Sequence, residues 1–155
     1  MTLPNHAMTG ALIGLTVSNP AGAVIGAFLS HFLLDVIPHY DVPGETNETR
    51  IDSRLFQNVQ IVGGGLLCGL IILALLFTRP NAWLLGSICA AVAVLPDALS
   101  APRYFSVKRH GKDIRDNWWF WKFHDQIQWR AAPRYAWIEL VWAILFGWLL
   151  SRFLV

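Results

Sequence analysis

From Leu55 to Thr78 no charged residue occurs, and the centre of the run, Ile61 to Phe77, is almost wholly aliphatic or glycine. About 20 residues at 1.5 Å rise cross the roughly 30 Å hydrocarbon layer of a bilayer, so this run predicts a membrane-spanning helix. The rest of the chain must fold in the same solvent, and its composition agrees. With 55% hydrophobic and 14% charged residues and a mean hydropathy of +0.45, 155 residues hold more apolar surface than a soluble domain of that size hides inside. A net charge of +2 is mild and argues against a dedicated nucleic-acid binder. Cys68 and Cys89 lie inside apolar runs without framework spacing and read as small apolar residues. Met1-Thr2-Leu3-Pro4-Asn5-His6 has no basic segment of the kind that opens a removable signal peptide.

Further elements follow from the punctuation of the chain. Arg79-Pro80-Asn81 is a turn signal, and the apolar run after it, 82–95, ends at Pro96-Asp97. A third span is expected over 135–152, which carries Trp137, Trp142 and Trp148 between Arg134 and Arg152, the anchors of a membrane interface. Ala7 to Leu34 is uncharged but broken by Ser18-Asn19-Pro20, which splits it into two short helices, 4–17 and 20–37. Gly10, Gly14, Gly22 and Gly26 recur at four-residue spacing, the small-residue pattern of closely packed membrane helices, and predict a tight hairpin of these two. Residues 118–130 mix tryptophan and phenylalanine with polar groups, which suits a helix lying at headgroup level. The expected fold is therefore all-α, a polytopic membrane helical bundle forming one domain over 1–155. It has about five membrane helices, two of them short, and one interfacial amphipathic helix.

Charge placement orients this bundle. The stretch 98–133 contains Arg103, Lys108, Arg109, Lys112, Arg115, Lys122 and Arg130, and an excess of Lys and Arg marks a cytoplasmic loop. Carrying that assignment through the spans puts His6, His31, Asp35, His39, Asp41, Asp97 and His124 on the cytoplasmic side.

Those seven residues carry the chemistry. In Ser30-His31-Phe32-Leu33-Leu34-Asp35-Val36-Ile37-Pro38-His39-Tyr40-Asp41, His31 and Asp35 are four apart and share one helix face, while Pro38 ends the helix and turns His39 and Asp41 back towards it. Ionisable groups within an apolar segment are costly and usually functional. Imidazole and carboxylate together suit a divalent metal, Zn²⁺ first and Mn²⁺ or Fe²⁺ as alternatives. His6, Asp97 and His124 join as further metal ligands, with Asp41 and Asp97 as candidate catalytic carboxylates. More ligands than one ion needs leaves a two-metal site open. A bland reading stands beside this one: a buried His–Asp hydrogen bond and polar helix ends. Ser30 cannot easily complete a triad with its neighbour His31, because adjacent helical side chains diverge.

The N-terminal His6, the Ser30-His31…Asp35 helix, the Pro38-His39-Tyr40-Asp41 exit and Leu95-Pro96-Asp97 together resemble a family of small inner-membrane metal-dependent hydrolases, described as LexA-binding and distantly similar to zinc-dependent phospholipase C. The resemblance covers about the first hundred residues. Where that family carries Pro-Asp-x-Asp, Asp97 is here followed by Ala98-Leu99. The resemblance implies a metal-dependent hydrolase in the inner membrane, its polar site facing the cytoplasm, acting on a phosphoester or lipid. Membrane lipid is the expected partner, and a homo-oligomer is left open. The competing readings are ion or proton handling by the intramembrane His and Asp, and a non-catalytic membrane scaffold.

Overall fold

The computed structural model describes residues 1–40, 50–110, 119–128 and 130–154, with the side chains of 50–60, 101–110, 121 and 125 left aside. The described chain is all-helical, an arrangement of six α-helices: α1 (Leu3–Thr16), α2 (Pro20–Val36), α3 (Arg50–Thr78), α4 (Trp83–His110), α5 (Trp119–Ile127) and α6 (Ala136–Leu154). Three stretches, Ile61–Thr78, Trp83–Ser100 and Pro133–Leu154, are long and apolar enough to cross a membrane. Leu66, Leu70, Phe77, Ile144 and Trp148 on α3 and α6 remain exposed, a distribution that only an apolar solvent makes favourable.

The short helices are set by their ends. Pro4 lies in the first turn of α1, where its missing N–H costs nothing. Asn19 caps α2, its side chain accepting from Gly22 N at 3.0 Å, and Pro20 follows. Pro38 forces the residue before it out of the helical region, so Ile37 is extended and α2 stops at Val36.

Pro96 does not end α4 as expected. The helix runs through Pro96 and Asp97 to His110, so the first part of the anticipated loop 98–133 is helical and Asp97 lies within a helix rather than at its end. Burial overrides the local proline signal, for Pro96 is fully buried and its lost hydrogen bond is one among many in a 28-residue helix. The expected glycine hairpin is also different in detail. A methyl group on Gly10 would lie 2.7 Å from Ala93 Cβ and 2.9 Å from the Cys89 carbonyl carbon, and one on Gly14 would lie 2.8 Å from Gly86 Cα. These two glycines let α1 approach α4, whereas Gly26 meets only Ile13 at 3.5 Å and Gly22 only its own cap.

The 14-residue α1 is the hub, packed against α2, α3, α4 and α6. Its buried Ala7 and Ala11 meet Leu75, Ala90 and Leu150, while Ala23 and Ala27 of α2 pack with Cys89 and Ala93 of α4. Small residues on all three facing helices give the close backbone approach that binds helices in lipid. α5 docks on α2 through rings: Phe123 lies 5.5 Å and Phe120 6.4 Å from Phe32. Behind it, Ala132 N donates to His39 O at 3.0 Å, and Ala131 pairs with His39 in an isolated parallel bridge. The chain leaving α5 is thus fastened to the chain leaving α2.

Candidate metal centre

One end of the bundle gathers polar side chains from four helices. α1 brings His6, α2 brings His31 and Asp35, α4 brings Asp97 and α5 brings His124. The side chains of His6, His31 and Asp35 are 0% exposed and that of His124 4%, whereas Asp97 is 21% exposed. Asp97 is therefore the least covered side chain of the cluster among the described residues.

One ligand atom each from His31, Asp35, Asp97 and His124 falls within 4.8 Å of the others. His31 Nε2 lies 3.0 Å from His124 Nε2 and 3.2 Å from Asp35 Oδ2. His124 Nε2 lies 3.4 Å from Asp35 Oδ2 and 3.6 Å from Asp97 Oδ1, and His31 Nε2 is 3.8 Å from Asp97 Oδ1. An ion bound at about 2.0–2.2 Å spaces its tetrahedral ligands about 3.3–3.6 Å apart, so these separations bracket the edges of such a tetrahedron.

The outer contacts fix where the imidazole protons sit. His31 Nδ1 is 2.8 Å from Ala93 O; a carbonyl only accepts, so Nδ1 carries the hydrogen and a neutral His31 presents a lone pair at Nε2. Ser100 Oγ gives its own hydrogen to Pro96 O at 3.0 Å and lies 3.3 Å from His124 Nδ1. It therefore accepts from His124, whose Nε2 lone pair also points inward. Backbone carbonyls and hydroxyls on the far nitrogen orient metal-binding histidines in this way. The same proton direction excludes a Ser100–His124–Asp35 triad, which needs the serine to donate to the imidazole. Two lone pairs and two carboxylates converging in a buried pocket repel one another unless a cation lies between them. Gln128 Nε2 donates to Asp35 Oδ2 at 3.2 Å, and on the far side the Met1 ammonium pairs with Asp35 Oδ1.

His6 faces the other side of the same carboxylates. Its ring stacks on that of His31 with centroids 4.1 Å apart, and its Nε2 is 3.2 Å from Asp35 Oδ1 and 4.0 Å from Asp97 Oδ2. Its Nδ1 makes no hydrogen bond to the described residues. Asp35 Oδ1 also takes the Met1 nitrogen at 2.5 Å.

His39 is buried, with Nδ1 donating to Ile37 O at 2.8 Å, and like His6 it is not among the four grouped ligands. Burial holds its pKa below the usual 6.5. Asp41 lies outside the described residues. His6, His31, Asp35, Asp97 and His124 are thus brought together, and the His39 backbone fastens the exit of α2 to that of α5.

Sequence reasoning passed over a second polar layer. Glu139 of α6 is buried and accepts from Asn5 Nδ2 at 2.6 Å and Thr2 Oγ1 at 2.9 Å, while the Asn5 amide also reaches Glu139 O at 3.1 Å. Thr9 Oγ1, bonded to Asn5 O, accepts from Trp142 Nε1 at 3.1 Å. This layer clamps the first turn of α1, and with it His6, against α6. Its signal was present in the chain: Glu139 is the sole charge between Tyr135 and Leu150. Ser100 and Gln128 left no comparable trace, because their roles follow from where α4 and α5 meet. Compared with known proteins, the chain matches no family model, no curated protein and no solved structure.

Proposed function

We propose that this protein is a metal-dependent hydrolase whose site lies at the cytoplasmic membrane interface of the inner membrane and acts on a phosphoester or lipid. The observation that carries this reading is the inward convergence of the His31 and His124 lone pairs with Asp35 and Asp97 at ligand spacing. Imidazole and carboxylate donors fit Zn²⁺, with Mn²⁺ or Fe²⁺ as alternatives. A divalent ion in such a setting supplies Lewis acidity and makes an associated water more acidic. The protein's part is to hold the donors rigid and dry, with Asp97 as the edge at which water and substrate arrive.

The surroundings favour an anionic amphiphile. Trp119, Lys122 and Phe123 of α5 are exposed beside His124, and an aromatic and basic face of this kind rests among headgroups. The test is elemental analysis of the purified protein, joined to hydrolysis of a chromogenic phosphodiester and of phospholipid in mixed micelles. Stoichiometric metal is expected in the wild type and substoichiometric metal in His31→Ala and Asp35→Ala, with hydrolysis lost in both. Wild-type protein devoid of metal, or fully active variants, would sink the proposal.

One contact favours a second reading, proton handling. A separation of 3.0 Å between His31 Nε2 and His124 Nε2 is also that of an N–H···N bond, so a single added proton could occupy the pair. Metal-independent proton flux in proteoliposomes, abolished by Asp35→Asn, would select it.

A further inference from the structure

The two carboxylates of the cluster do not spend both oxygens on the same side. Asp35 Oδ2 and Asp97 Oδ1 face His31 and His124, whereas Asp35 Oδ1 and Asp97 Oδ2 face His6. We propose a second metal position, formed by His6 Nε2, Asp35 Oδ1 and Asp97 Oδ2, so that Asp35 and Asp97 bridge a pair of divalent cations. The inference rests on the metal-binding reading of the first position and deepens it.

Three independent features support the pairing. His6 is 0% exposed; its Nδ1 has no hydrogen-bond partner among the described residues, and its Nε2 faces oxygens of two carboxylates, the surroundings of a cation ligand. Its distance of 3.2 Å to Asp35 Oδ1 matches a coordination edge of about 3.3 Å. The 4.0 Å to Asp97 Oδ2 closes with a sub-ångström turn of a side chain that is itself partly exposed. Finally, the His6 and His31 rings lie nearly parallel, with an interplanar angle of 25° and centroids 4.1 Å apart. Stacked imidazoles whose Nε2 atoms meet the two different oxygens of Asp35 suit two ions at the separation of about 3.5–4 Å that carboxylate-bridged pairs adopt. The Met1 nitrogen approaches Asp35 Oδ1 as well, so an ion in this position competes with it for that oxygen.

Paired cations suit a phosphoester in particular, since one can hold the attacking oxygen and the other the leaving oxygen of an in-line displacement. The chemical class implied for the substrate is therefore a phosphate ester rather than a carboxylic ester.

The experiment is metal stoichiometry of the full chain in detergent, stripped with chelator and equilibrated with Mn²⁺, read by elemental analysis and by electron paramagnetic resonance. Two Mn²⁺ per chain with an exchange-coupled multiline spectrum are expected in the wild type. His6→Ala should retain one, with an uncoupled six-line spectrum. The wild-type spectrum needs no variant, so a His6→Ala protein that fails to fold leaves the outcome readable. A single uncoupled ion in the wild type would overturn the second position and leave the first standing. Absence of bound metal would overturn both, and two coupled ions persisting in His6→Ala would remove His6 from the pair.

Discussion

His31 and His39 are both buried, and each gives its Nδ1 hydrogen to a backbone carbonyl, His31 across helices and His39 within its own segment. His31 is oriented by a carbonyl on another helix and turns its free nitrogen to the ligand group, whereas His39 donates to Ile37 two residues away and lends its own carbonyl to Ala132. Its pKa is lowered from 6.5 chiefly by burial. The sign of the resulting linkage follows directly: between the depressed folded value and 6.5 the unfolded chain binds more protons than the native one, so stability falls as pH drops through 6.5. His39→Asn keeps a donor for Ile37 but does not titrate. Its thermal unfolding in detergent should therefore vary less than that of the wild type between about pH 7 and pH 5. Parallel profiles for the two proteins would show that His39 does not contribute to the acid sensitivity.

Among the elements, α1 is the one whose placement matters most, and its contact with α4 depends on hydrogen atoms at Gly10 and Gly14. A methyl group at Gly10 meets Ala93 Cβ at 2.7 Å and the Cys89 carbonyl carbon at 2.9 Å, and neither can swing aside. Gly10→Ala should cost about 1–3 kcal/mol, as overpacking of a tight interior does, while Gly22→Ala, whose nearest neighbour is its own Asn19 cap at 3.7 Å, should be near neutral. Thermal or denaturant unfolding in micelles compares them; equal stabilities would contradict the close α1–α4 approach. Because His6 is four residues before Gly10 on the same helix, the first variant should also lower metal affinity. The positions of α2 and α6 were legible from Pro20, Pro38 and the flanking arginines. The length of α4 was not, because Pro96 reads locally as a stop, and only its burial among neighbouring helices keeps the helix going.

For the whole molecule, a cluster fed by α1, α2, α4 and α5 would tie the proposed metal binding to tertiary structure. Ions that bind the folded bundle alone stabilise it by mass action, by about 2.7 kcal/mol at a free concentration one hundred times the dissociation constant. Chelation should therefore lower the unfolding temperature of wild-type protein and readdition restore it, with little response in Asp35→Ala; an unfolding temperature indifferent to both treatments would speak for a purely structural polar core. The amino-acid sequence by itself determined that the chain is a helical membrane bundle, because hydrophobic length and proline or asparagine caps act over a few residues and need no partner. It also marked His6, His31, Asp35, Asp97 and His124 as candidates, since charge and imidazole within or at the ends of apolar runs, or among the aromatic residues of 118–130, are conspicuous wherever the segment ends up. Tertiary structure alone decided that these five meet, that Glu139 clamps α1, and which oxygen of each carboxylate faces which histidine. Those outcomes depend on how close two helices come and how they are rotated about their axes, and that is set by glycine and alanine contacts between segments far apart in the chain.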